Sequence, residues 1–303
     1  MKKFRAALLL LTTTFFWGVT FTIVKDAINQ VDVYVFLSQR FLLASAVMLP
    51  FALVRRDRLN GRLLTHGLVL GSLLFAAYAF QTVGLKYTSA SNTGFLTGLS
   101  VVLVPLFDAL IFRQPIGRSI RWGVGLALIG LLLLCSNSTL SFNLGDLLGT
   151  LCGVSVALHL LFTSRFARHA ESDVYLLTTL QLTVVGALSL GAAGLRGARV
   201  FVWHPELFWT LAVCVLIATV FAFLVQTSMQ RYISPSHTAL IFCTEPVFGA
   251  GYAYFAAGER LGVYGYWGAA LILAGMLVSE LLPDEPGAEE SVEPVEGEQA
   301  VEV

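Results

Sequence analysis

The sequence predicts an all-α integral membrane protein, with ten transmembrane helices built as two inverted five-helix repeats. Three observations carry this. Of 303 residues, 56% are apolar and only 13% charged, and the mean hydropathy is +0.77; soluble domains carry roughly 25% charged residues. The chain divides into ten apolar runs with short connections. A pattern of polar residues in the first half returns 145 positions later. This composition excludes disorder for the bulk of the chain. The balance of 19 basic and 19 acidic residues lacks the basic excess of a nucleic-acid binder.

A membrane-crossing helix needs about 20 mostly apolar residues. The first run, 6–24, follows Lys2, Lys3 and Arg5 but is interrupted by Thr12–Thr14, Trp17 and Gly18. No small-residue cleavage pattern follows, so it reads as an uncleaved helix and not as a signal peptide. Trp17 and Phe21 share one face, placed either to stack on a cargo or to pack. The second run, 35–54, holds Arg40 about 8 Å from its outer end. A charge there costs roughly 2.5–3.5 kcal/mol, and Arg40 either attracts a carboxylate or snorkels to the interface. The third, 66–85, ends with Tyr78, Phe80, Gln81 and Thr82. The fourth, 89–112, opens on Asn92, Thr93 and Gly94 and holds Asp108, spaced for a local ion pair with Arg113. The fifth, 120–135, is short. The sixth, 146–164, carries His159, either a pore group or an interhelical hydrogen-bonding partner.

The seventh run is 174–194, and the eighth, 206–228, carries Gln226 and Thr227. The ninth, 237–257, opens on His237 and Thr238 and holds Glu245. Glu245 lies about 12 Å along that helix, near the midplane. Pro246 follows and frees a carbonyl one turn back. Such a carboxyl can bind a substrate ammonium, take up a coupling proton, or pair with a buried base. The tenth run is 263–282. Beyond it, 21 residues carry eight acids and no base, the signature of a disordered acidic tail.

Lys and Arg mark the cytoplasmic side. With the N-terminus inside, thirteen bases fall in inside segments and five in outside loops, with Arg40 in a span. Both termini are therefore expected in the cytoplasm, as an even number of spans requires.

The repeat reads Gln81-Thr82-x-x-x-Lys86-Tyr87-x-Ser89-x-Ser91-x-Thr93 against Gln226-Thr227-x-x-x-Arg231-Tyr232-x-Ser234-x-Ser236-x-Thr238. At the same offset, Trp122-Gly123-x-x-Leu126-x-Leu128-x-Gly130 matches Trp267-Gly268-x-x-Leu271-x-Leu273-x-Gly275. Pro105 and Pro246 are displaced from this register by about one helical turn. The expected divisions are 1–140, 141–282 and the tail 283–303. Five spans per repeat make the second copy enter from the opposite side. Inverted repeats are typical of secondary transporters, with a site near the midplane between them. Gln81, Gln226 and Thr227 then face a central cavity or bond across helices. Asn92 and His237 align across the repeat, at helix starts suited to gates or caps.

The stretch Tyr87–Gly98, running on to Val104-Pro105-Leu106, resembles the EamA-type branch of the drug/metabolite transporter superfamily. So do Ser234–Leu240, Glu245-Pro246-Val247-Phe248, Gly258-Glu259-Arg260-Leu261, Trp17-Gly18 and Gln39-Arg40-Phe41. The resemblance spans roughly 6–282. It implies a ten-helix carrier in the inner (plasma) membrane of a bacterial cell, moving small metabolites such as amino acids or related compounds, often outward. Gln114-Pro115 departs from it, where first repeats often carry an acid like Glu259. His159 also departs, at a place more often aromatic.

The four cysteines form no CxxC or Cys/His spacing and read as buried hydrophobes; no metal and no cofactor is implied. No nucleophile–base motif, Walker motif or filter-like loop points to an enzyme, a pump or a channel. The expected partners are a small-molecule metabolite and the lipid bilayer, with no nucleic acid. The expected activity is alternating access, with a facilitative uniporter, exchanger or channel-like permease for an unrelated solute as the alternative.

Overall fold

A computed structural model describes residues 2–28, 30–88, 90–135, 143–169, 171–198, 205–258, 260 and 262–282. The acidic tail and Glu259 lie outside the described residues. Among the described residues the regular structure is helical. The order is α1 (Lys2–Ile28), α2 (Val33–Val54), a 3-10 turn (Arg56–Arg58), α3 (Gly61–Gly84), α4 (Ala90–Gly98), α5 (Ser100–Phe112), α6 (Arg118–Leu134) and α7 (Leu144–Arg168). It continues with α8 (Val174–Leu195), α9 (Pro205–Val215), a π-helical segment (Leu216–Phe221), α10 (Ala222–Met229), α11 (Pro235–Phe242), α12 (Glu245–Ala257) and α13 (Val263–Leu281). Seven stretches among the described residues are long and apolar enough to cross a membrane: α2, α3, Thr93–Phe112, α7, α8, Leu207–Met229 and α13. The chain is a multi-pass membrane protein. Two departures from that standard have visible causes: α6 has 17 residues, and α11 and α12 are separated by a break.

Helix starts are set by side chains that satisfy orphan N–H groups. Asp32 accepts from the Tyr34 N–H at 2.9 Å, Asn60 from Leu63 at 2.8 Å and Asn143 from Asp146 at 3.0 Å. Asp173 accepts from Tyr175 and Leu176. Ser234 accepts from His237 at 3.3 Å, with Pro235 in the first turn, where its missing N–H does no harm. Two long apolar runs are interrupted at repeat-equivalent places. α4 gives way to α5 at Leu99, and α11 to α12 at Cys243-Thr244. Leu99 and Thr244 are 145 apart, so the breaks keep the register that the prolines lose.

Helix contacts between the halves occur in exchanged pairs. α3 packs on α7 and α8, and the α9–α10 unit packs on α1 and α2; α4–α5 meets α7, and α11–α12 meets α1; α2 meets α8, and α6 meets α13. The last two pairs are self-complementary in detail. A Cβ on Gly130 would lie 2.6 Å from the Gly268 carbonyl oxygen, and one on Gly123 would lie 2.8 Å from that of Gly275. Residue order thus reverses along the contact, and α6 and α13 run antiparallel. The same holds for α2 and α8. Arg196, just after α8, reaches Asp32, the cap of α2, at 3.8 Å. Arg55, just after α2, reaches Asp173, the cap of α8, at 3.6 Å. Arg196 and Arg55 also lie over Tyr34 and Tyr175 respectively. A patch that contacts its own equivalent with indices exchanged is the mark of two-fold symmetry.

Candidate functional site

The π-helical segment is the local feature around which the central side chains assemble. Widening the helix by one residue redirects carbonyls that an α-helix would use internally, and such bulges recur at functional sites. Here the Ala218 carbonyl accepts the indole N–H of Trp17 at 2.8 Å and Nη2 of Arg40 at 3.1 Å. Arg40 Nε donates to Thr219 Oγ1 at 2.7 Å, and that hydroxyl donates to the Cys214 carbonyl. Arg40 is only 4% exposed, so its charge stays inside the bundle and does not snorkel. Its guanidinium lies 5.3 Å from the Tyr78 ring centroid, within cation–π range.

Aromatic rings form the rest of the surroundings. Trp17 meets Phe223 and Phe242 at 5.5 and 5.0 Å. Phe41 meets Tyr78 at 5.0 Å and Phe223 at 6.3 Å. Glu245 opens α12 just past the helix break. α1 makes its closest approach there: a Cβ on Gly18 would fall 2.7 Å from the Glu245 carbonyl oxygen. The Glu245 side chain is half-buried and lies within electrostatic reach of Tyr78, Cys152 and Cys243. Among the described residues, no hydrogen bond or ion pair engages its carboxylate. Tyr78 therefore lies within reach of a guanidinium already bonded to the protein and of a carboxylate without such a bond among the described residues.

The structure brings Trp17, Arg40, Tyr78 and Glu245 to this centre and gives other expected residues structural bonds. His159 Nε2 pairs with Gln181 Oε1 at 3.0 Å, and Gln181 Nε2 donates to Thr227 Oγ1 at 3.2 Å. This chain links α7, α8 and α10, although the His159 ring also meets Phe223 at 6.3 Å. Gln226 donates to Gln230, which donates to the Leu160 carbonyl. Thr227 thus joins helices directly, and Gln226 does so through Gln230. Gln81 is half-buried, with no side-chain hydrogen bond among the described residues. His237 bonds Ser234 Oγ at 2.7 Å and the Ser279 carbonyl at 2.9 Å, tying α11 to α13. The side chains of Phe21 and Asn92 lie outside the described residues. Asp108 is a correction: it pairs with Arg165 of α7 at 2.8 Å, and not with Arg113. The latter adopts a left-handed conformation that ends α5, with its backbone N–H on the Asp108 carbonyl. Among the described residues, no group of His, Cys, Asp and Glu is arranged to hold a metal ion.

Sequence reasoning missed Thr219, Ala218, Gln181 and Gln230. The π segment carries no local mark within an apolar run. Gln181, however, had a signal. Asp32-Val33-Tyr34 returns as Asp173-Val174-Tyr175, 141 residues on, and the same offset carries Arg40 to Gln181.

Comparison with known proteins bears on the same architecture. The profile of the EamA-like transporter family matches residues 4–136 and again 143–281. An uncharacterized transporter of Archaeoglobus fulgidus is 31% identical over 285 residues, covering 93% of this chain and 87% of that one. The uncharacterized transporter YyaM of Bacillus subtilis is 28% identical, with 92% and 94% covered. A solved crystal structure is similar in fold, with a TM-score of 0.77 at 19% identity over 91% of this chain and 96% of the other.

Proposed function

Since the chain belongs to the EamA-like transporter family, we propose that it is a secondary carrier, and an exporter, for small amine-bearing metabolites such as amino acids or related compounds. Its cargo binds between the two halves of a ten-span, inverted-repeat bundle in a bacterial inner membrane, with both termini in the cytoplasm. The observation that carries the reading is the Glu245 carboxylate, without a hydrogen bond or ion pair among the described residues, at a helix break beside an aromatic cluster. A carboxylate inside a membrane protein requires a compensating charge. A cargo ammonium supplies one, and the faces of Trp17 and Tyr78 favour the same cation. When cargo leaves, a proton takes its place, which couples transport to the proton gradient. Arg40, already bonded to Thr219 and Ala218, keeps donors for a cargo carboxylate.

The exchanged contacts support alternating access. The α6–α13 and α2–α8 pairs map onto themselves when the halves are swapped, so they serve as fixed seams. Contacts such as α1–α12 and α5–α7 exchange places and carry the motion. The test is counterflow of labelled amines and amino acids in proteoliposomes, with and without a pH gradient. Glu245→Gln should abolish gradient-driven flux while leaving the melting temperature near that of the parent. Unchanged flux with unchanged pH dependence would remove Glu245 from the mechanism.

A further inference from the structure

A cavity of about 600 Å³ opens at the end of the bundle where α1 begins, away from the central aromatic cluster. Its size falls within the roughly 300–1,000 Å³ typical of ligand pockets. One wall is α1 and the opposite wall the end of α13. Both walls include side chains that face outward from the bundle: Phe4 and Leu8 on α1, and Leu277 and Leu281 on α13, are 74%, 55%, 50% and 76% exposed. In a membrane protein such surfaces meet acyl chains, so the crevice is continuous with the lipid phase.

The charges at its mouth are unequal. The loop Gln114–Gly117 lines it, and Arg113 and Arg118 flank that loop, with Arg121 one turn further on. All three arginines are exposed, and among the described residues none has an ion pair or side-chain hydrogen bond. Lys3 also lines the cavity. Of the two acids in the lining, Asp108 is neutralised by Arg165 at 2.8 Å, and Glu280 faces Lys3 and His237. The lining itself is balanced once Arg165 is counted, and the surface beside it, which carries the three arginines just outside the lining, is net positive next to an apolar cleft. Trp122, 60% exposed beside Arg121, sits where an interfacial aromatic marks headgroup depth.

We infer that this crevice is a binding site for an anionic phospholipid, with its phosphate at the Arg113–Arg121 rim and an acyl chain between α1 and α13. Basic recesses between helices bind anionic headgroups by this combination of charge and apolar wall.

The test is native mass spectrometry of the full chain after extraction from vesicles of equal phosphatidylglycerol and phosphatidylcholine. Phosphatidylglycerol should be retained preferentially. Retention should fall about fivefold for each arginine removed across Arg113→Gln, Arg118→Gln and Arg121→Gln, and stay unchanged in Arg56→Gln. Ala7→Trp, which fills the cleft and leaves every charge, should also lose the lipid, and it decides the matter if the triple variant does not fold. Equal retention of both lipids, or retention that survives the arginine changes or Ala7→Trp, would overturn the site. So would displacement by soluble glycerol phosphate, which would indicate a free-phosphate site. Displacement by a transported amine in the parent but not in Glu245→Gln would assign the cavity to the cargo route instead. Failure of the transport reading alone would leave lipid retention intact.

Discussion

Thr219 is held from two sides: its hydroxyl receives Arg40 Nε and gives its own proton to the Cys214 carbonyl. Removing the hydroxyl strands a charged donor in the bundle interior. Thr219→Val should therefore cost about 1–3 kcal/mol, read as a lower melting temperature in detergent; an unchanged melt would mean that Arg40 finds another acceptor. At this scale the sequence was informative about charge and silent about partners. Arg40 and Glu245 stand out in any apolar run because burying them is expensive. The Ala218 carbonyl cannot stand out, because every residue has one and only the π geometry singles it out. His159 illustrates the opposite limit. Its residue type allowed a pore group or an interhelical bond, and only the position of Gln181 decides between them.

At the level of elements, the glycines of α6 and α13 set how closely the halves meet. Gly123, Gly130, Gly268 and Gly275 belong to the motif that recurs at offset 145, and they fall against one another across the contact. The nearest atom facing each is backbone, which cannot swing aside as a flexible side chain can. Gly130→Ala should accordingly destabilise the chain by about 1–3 kcal/mol. Gly125→Ala, on the same helix with nothing within 4 Å of the added carbon, should be neutral or slightly stabilising, by up to about 1 kcal/mol. Equal effects at the two positions would refute the close seam. The seam was half legible in the sequence. A matched pair of Trp-Gly motifs identifies a repeat, but no pattern on one helix states which glycine of the other it meets. The helix breaks were harder to place. Pro246 drew attention to the ninth run, yet the break precedes it, at Cys243-Thr244. The equivalent break at Leu99 has no proline beside it.

For the whole molecule, most inter-helix packing described above crosses between residues before and after the 136–142 connection. Fragments 1–139 and 140–303, expressed together, should co-purify and reconstitute flux, whereas either alone should be degraded or aggregate. Two fragments that fold separately and fail to associate would contradict a shared core. The overall class was readable because bilayer physics restricts the options so severely. Runs of about 20 apolar residues have few alternatives to spanning as helices. The neutral net charge concealed more than it showed. Residues 1–282 hold 19 bases and 11 acids, and the last 21 residues supply the other eight acids.

The paired Asp–Arg contacts between α2 and α8 have a consequence for how the chain enters its membrane. Exchanging the halves turns Asp32–Arg196 into Asp173–Arg55, so this pair of helices looks alike from either surface. An insertion machine sensing only these residues receives contradictory instructions of equal weight. In the proposed orientation the bias then falls to cations outside the pair, the twelve other bases of the segments expected inside, with Arg113, Arg118 and Arg121 among them. The paired core on its own would accept either answer.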